Sequence, residues 1–191
     1  MRIFVAVLLT FIMTACASSD GTSTGNPLVS LKFDSFNSSL AFKTAADADV
    51  DVMAVSSLKM CFKRLRFKLA GEATNPDPEQ DEDNIDFYLG EVAISDLGTT
   101  LKSVALPVGT YKRIEFDLDD DCSSGNSMSL TNSHGSFETS DRITIKFNGT
   151  FVHDGSEADL GMNIQAIVTA LKDVQSDNDI EDEAESVDGS F

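Results

Sequence analysis

The sequence has no tryptophan, two tyrosines (Tyr88, Tyr111), two histidines (His134, His153) and three cysteines (Cys16, Cys61, Cys122). Each shortage excludes something. The flat aromatic platforms on which sugar-binding modules stack their ligands are hard to build without tryptophan. Two distant histidines leave no H-E-x-x-H zinc helix, and three scattered cysteines leave no paired C-x-x-C knuckle. A G-x-S-x-G nucleophile elbow and a phosphate-binding P-loop are also missing. Basic residues are scarce, 14 Lys and Arg against 32 Asp and Glu, for a net charge of −18. Such a polyanion repels nucleic acid and does not adhere directly to anionic lipid without bridging cations. No apolar run approaches the ~20 residues that a membrane-spanning helix needs.

What is present begins with Arg2 and the ten uncharged residues from Phe4 to Met13. A short basic start followed by an apolar run about half as long as a bilayer-spanning helix is the layout of a cleaved export signal. The run leads into Met13-Thr14-Ala15-Cys16, which resembles the lipobox of bacterial lipoproteins, with Met13 where that family usually has leucine. The resemblance implies a signal peptide over residues 1–15 and a membrane-anchoring lipid on Cys16. Ordinary cleavage after Ala15-Cys16-Ala17, an A-x-A-like site, is the other reading and would release a soluble protein. Lipoproteins of two-membrane bacteria that stay in the inner membrane tend to carry Asp after the cysteine, so Ala17 implies an outer-membrane address. Residues 16–27 hold no bulky apolar side chain and read as a flexible tether. Fully extended, it reaches roughly 35 to 40 Å.

Removing Arg2 with the signal leaves 13 basic against 32 acidic residues, a net charge of −19. Cys61 and Cys122 are then the two cysteines left in an oxidising compartment, and they are expected to pair. Closing a loop of about 60 residues would contribute ~4 kcal/mol on the chain-entropy account. Two buried free thiols are the alternative.

Residues 28–174 hold enough apolar residues for one domain with its own core, including most of the phenylalanines. Apolar residues recur at every second position in runs bounded by Gly, Asn, Asp and Pro, which predicts strands. In the run Leu58–Leu69 the phase slips between Leu58, Met60, Phe62 and Leu65, Phe67, Leu69, so a β-bulge is expected near Lys63-Arg64. Ile143, Ile145, Phe147, Phe151 and His153 keep one parity through Asn148-Gly149, which predicts one long strand turning at Asp154-Gly155. Leu160 to Val174 fits a strand to about Ile164 and then a short helix. Residues 175–191 are acidic and read as a solvated tail or weak helix.

Five basic residues, Lys59, Lys63, Arg64, Arg66 and Lys68, crowd into one strand. Placing Cys61 opposite Cys122 in an antiparallel pair sets Leu65 against Leu118, Phe67 against Phe116 and Leu69 against Ile114. The other face then pairs Arg64 with Asp119, Arg66 with Asp117, Lys68 with Glu115 and Lys63 with Asp120. Exposed cross-strand charge pairs contribute only ~0.2 to 1 kcal/mol each, so they select register more than they stabilise.

The run Val104-Ala105-Leu106-Pro107-Val108-Gly109-Thr110-Tyr111 resembles an L-P-x-G-x-Y element of uncharacterised domains in bacterial surface lipoproteins. The resemblance spans about residues 28 to 170. It implies a mainly β fold, an antiparallel transthyretin-like or fimbrial-type β-sandwich with a short C-terminal helix, and it carries over no site residues.

No cofactor is required by any motif, and no catalytic residue stands out. Ca²⁺ is the candidate ion, because hard cations gather closely spaced carboxylates. Asp77, Asp81 and Asp83 in one acidic loop and Asp119, Asp120 and Asp121 at a strand end are the candidate ligands. Asp47, Asp49 and Asp51 alternate but lack the glycine and final glutamate of an EF-hand loop. Solvation of a secreted surface also accounts for such loops. The two histidines read as surface turn residues. The expected role is a membrane-anchored, non-catalytic binding or structural module of the cell envelope, with an envelope or extracellular protein or glycan as partner. A calcium-dependent or carbohydrate-binding adhesion module and an envelope-polymer hydrolase are the alternatives.

Overall fold

Alternation in the sequence becomes alternation in burial. In β1 (Leu28–Phe33) the side chains of Val29, Leu31 and Phe33 are buried, while Leu28, Ser30 and Lys32 face outward. A computed structural model describes residues 26–41, 52–70 and 84–191. β1 is the middle of a three-stranded sheet, with β6 (Thr99–Ala105) antiparallel on one side and β11 (Ala158–Met162) parallel on the other.

The larger sheet has seven strands built on β4 (Ser57–Leu69). β5 (Asn84–Ala93) lies along one side of β4. Along the other side β4 meets two partners in succession, β8 (Met128–Asn132) over its first half and β7 (Gly109–Leu118) over its second. β10 (Ile143–His153) pairs with β7, and β9 (Gly135–Thr139) pairs with β8. β12 (Gly189–Ser190) joins β10 in parallel. A hairpin of β2 (Ser39–Ala41) and β3 (Val52–Ala54) stands apart from both sheets.

The chain is a β-sandwich in which both sheets are mixed, because β1–β11 and β10–β12 run parallel. Phe33 from the small sheet packs among Phe62, Phe116 and Phe147 of the large one, at ring-centroid distances of 6.1, 5.9 and 5.6 Å. Tilted and edge-on contacts of this kind suit aromatic quadrupoles and add to the area they bury. α1 (Gln165–Leu171) completes the core with Ile167, Val168 and Leu171. Its last carbonyls are taken up by the buried Asn132, whose Nδ2 donates to Leu171 O, Lys172 O and Val174 O. Open helix ends need such partners when water is excluded.

The expected bulge is present, as a register shift in β4 between Phe62 and Arg64. The long strand is also present, and Asn148-Gly149 lies inside it instead of forming a hairpin turn. A Cβ on Gly149 would stand 2.4 Å from the Phe191 carbonyl oxygen, so glycine here makes room for a neighbouring segment. The chain does turn at Asp154-Gly155, with Gly155 at φ 98°, and passes to the other sheet.

The L-P-x-G-x-Y run is the corner between the two sheets. Leu106 is buried, Gly109 lets Leu69 approach where a Cβ would lie 2.8 Å from its Cδ2, and the Tyr111 hydroxyl donates back to Pro107 O at 2.8 Å.

Three expectations need correction. The β4–β7 register is displaced by two residues, so Leu65 meets Phe116, Phe67 meets Ile114 and Arg66 meets Glu115. Cys122 lies beyond the end of β7 and does not anchor the ladder. The acidic segment 175–191 is packed against the domain and is not a solvated tail. It contains α2 (Asp179–Ser186), which buries Ile180 and Ala184, followed by β12. Asp177 accepts from the Glu138 N–H, Glu185 accepts from the Thr144 N–H, and Asp188 accepts from Asn148 Nδ2. Finally, His153 is 2 % exposed on the core side of β10, stacked on Phe151 at 5.9 Å. His134 does sit exposed in its turn, where Asn132 Oδ1 accepts from the His134 and Gly135 N–H groups.

Candidate functional site in the disulfide-tethered acidic loop

Cys61 is the point at which β4 changes partner. Its carbonyl accepts from Asp119 N at 3.2 Å, and its N–H donates to Ser127 O at 2.9 Å. Between those two residues the chain makes an excursion that a Cys61–Cys122 disulfide ties back, with the Cα atoms 5.9 Å apart. Further bonds pin the loop. Asn126 Nδ2 donates to Glu138 Oε2 at 2.9 Å, and Ser127 Oγ donates to Thr139 O at 3.1 Å.

The loop brings Asp119, Asp120 and Asp121 together, with one carboxylate oxygen from each within 4.8 Å of the others. Lys63, the residue at the bulge, reaches two of them. Its ammonium contacts Asp119 directly and Asp121 at 2.9 Å. A hard cation needs several free oxygens, and here an ammonium already engages two of the three carboxylates. Asp77, Asp81, Asp83 and Cys16 lie outside the described residues, as do Asp47, Asp49 and Asp51.

Hydrogen bonding to Lys63 holds the Asp119 carboxyl below its ordinary 3.8, and bonding to Asp119 and then Asp121 raises Lys63 above its ordinary 10.5. Both shifts favour the charged pair. The contribution of Asp119 is therefore present above the unfolded-state value and is lost as pH falls through the folded one. That of Lys63 is present below 10.5 and is lost as pH rises through its raised value. Lys63 is 38 % exposed, so solvent screening limits the pair to about 1 kcal/mol or less. Lys63→Met is expected to be less stable than the parent near neutrality, with the gap closing as pH falls through the lowered Asp119 value. Urea midpoints measured across pH test this, and a gap that widens on acidification would contradict the assignment.

A second polar cluster lies behind the first. Asp117, 1 % exposed, accepts from Arg66 Nη2 at 2.5 Å, Arg142 Nη2 at 3.1 Å and Thr144 Oγ1 at 3.1 Å. Arg66 Nε is 3.3 Å from Glu115 Oε2, an ion pair without hydrogen-bond geometry. Sequence reasoning paired Arg66 with Asp117, and that contact survives diagonally across the corrected register.

No known protein family, no curated protein and no solved structure matches this chain. What the site can do rests on its own geometry. Among the described residues, neither ring nitrogen of the buried His153 has a hydrogen-bond partner. At the Leu28 end of the small sheet, a shallow depression of ≈ 360 Å³ is lined by Leu28, Ser30, Ser103, Glu157, Ala158 and Asp159. Sequence reasoning did not single it out. Its residues come from β1, β6 and β11 with Glu157 just before it, joined by non-local pairings that no local pattern announces.

Proposed function

We propose that the mature chain is an exported protein, held on the outer membrane by a lipid on Cys16, that serves as a non-catalytic binding or structural module of the cell envelope. The observation that carries this reading is the Cys61–Cys122 disulfide. Such bridges persist in oxidising compartments and are rare in reducing ones. It sits in a domain that follows a signal-like segment, a lipobox-like tetrapeptide and a polar tether. The polar clusters are spent on holding the sheet and the loop together, which suits a rigid display module.

Mass spectrometry of the mature N-terminus, combined with protease shaving of intact cells, tests the reading. The expected product begins at a lipid-modified Cys16, and Cys16→Ser is expected to abolish the modification and release the domain from the membrane fraction. A product that keeps Met1 and stays in the cytosol would sink the proposal.

A further inference from the structure

Cations are scarce in this chain, 14 Lys and Arg in 191 residues, and the fold gathers them. β4, β7 and β10 lie side by side, and their registers set Arg64, Asp117 and Thr144 in one row and Arg66, Glu115 and Lys146 in the next. Lys68, Arg113 and Asn148 make a third row. The residues between them, Leu65, Phe67, Ile114, Phe116, Ile145 and Phe147, are buried in the core, so these nine positions share the outer face of the large sheet. Five are basic and two acidic, on a protein whose net charge is −18.

The two carboxylates are already used. Glu115 is 3.3 Å from Arg66 Nε and 3.2 Å from Arg113 Nη1, and Asp117 is taken by Arg66, Arg142 and Thr144. Lys146 stands directly opposite Glu115, and Arg64 directly opposite Asp117. Yet among the described residues neither of these half-buried cations makes an ion pair or a side-chain hydrogen bond. They flank the β7 carboxylates from opposite sides. In the third row Lys68 faces Arg113, and like charges directly opposite each other weaken a ladder. The positive excess is thus built in at a cost to the sheet. Glu185 and Asp188, on the β10 border of the face, are engaged with the Thr144 N–H and Asn148 Nδ2.

We propose that this face binds a short acidic oligosaccharide, whose acid groups engage Arg64 and Lys146 on either side of the filled β7 carboxylates. The inference rests on the binding-module reading, to which it gives a ligand, but needs no lipid on Cys16. The chemistry selects the class. An anion supplies the missing counter-charge, and a guanidinium fork matches carboxylate geometry. No aliphatic or aromatic side chain occupies the nine positions, so a protein partner finds none of the apolar anchors that carry protein interfaces. A long polyanion meets the repulsion of the remaining acidic surface, whereas a short one stays within a screening length, about 8 Å at physiological salt, of the basic face.

The test uses the mature chain with Cys16→Ser and the Cys61–Cys122 disulfide intact, titrated with tetragalacturonate and followed through its backbone amide resonances. Shifts are expected at residues 64–68, 113–117 and 144–148, and they are expected to fade as salt is raised. Arg64→Gln with Lys146→Gln breaks no described side-chain bond and is expected to weaken binding about tenfold. Lys32→Gln with Lys102→Gln removes the same charge from the small sheet and is expected to change affinity less than about twofold. Absence of shifts on this face, shifts scattered over all the basic residues, or equal weakening by the two double variants would overturn the proposal. So would tighter binding of tetraglutamate, which would assign the face to an acidic peptide. A native N-terminus without lipid would overturn the anchored reading but leave this measurement standing.

Discussion

Replacing Cys61 and Cys122 together by alanine is expected to lower the free energy of unfolding by about 2 to 5 kcal/mol. The bridge spans 61 residues of sequence, and a loop of that length restricts the unfolded chain strongly. The folded side loses as well. The disulfide fixes the excursion at the place where β4 passes from β7 to β8, and both cysteines are buried. Urea unfolding of the double variant, set beside the parent unfolded in reductant, separates the two contributions. Loss of the cross-link is common to both samples, while the altered side chains belong to the variant alone. A change below about 1 kcal/mol in both would show that the loop is held by its hydrogen bonds and not by the bridge.

The second large effect is expected at Asp117. Asp117→Ala should cost about 3 to 5 kcal/mol, because it strands the Arg66 guanidinium in a nearly water-free position with Glu115 as its remaining close anion. Removing the charge on both sides should cost less. The pair Arg66→Met with Asp117→Leu is expected to retain more stability than Asp117→Ala alone, since apolar groups of similar volume avoid the desolvation penalty. Thermal or urea unfolding of the three proteins settles the order. A double variant as unstable as the single one would mean that the carboxylate acts mainly through Arg142 and Thr144.

These two features show how far the sequence could be read. Burial of one face imprints a period of two, and Leu65, Phe67 and Leu69 displayed it clearly, bulge included. A displacement of the pairing by two residues leaves every side chain on the same face, so the pattern could not distinguish Leu65 opposite Leu118 from Leu65 opposite Phe116. Charge complementarity pointed to the wrong register, because the observed one keeps Arg64 and Arg66 opposite Asp117 and Glu115 but sets Lys68 opposite Arg113. The cysteine pairing was legible from arithmetic, but the position of Cys122 outside the ladder was not. His153 carried a usable signal, its shared parity with Ile143 to Phe151, which the nearby turn residues obscured. Ile180 and Ala184, four residues apart within an acidic run, likewise marked a buried helical stripe that the surrounding charge concealed. The parallel pairings of β1 with β11 and of β10 with β12 join segments far apart in sequence, where local periodicity has nothing to say.

Asp177, helix α2 and β12 lie along the border of the large sheet formed by β9 and β10, where Asp177 and Glu185 accept from the Glu138 and Thr144 N–H groups and β12 pairs with Phe147 and Asn148. Glu181, desolvated and close to Asp141, Glu185 and Asp182, is held above the ordinary carboxyl value there, so this cover is assembled against the repulsion of its own charges. Growth of a continuous filament by strand addition requires two open borders per molecule. Along the covered stretch the large sheet has lost one of them, so end-on-end propagation through it is blocked even where a single copy could still dock beside β5.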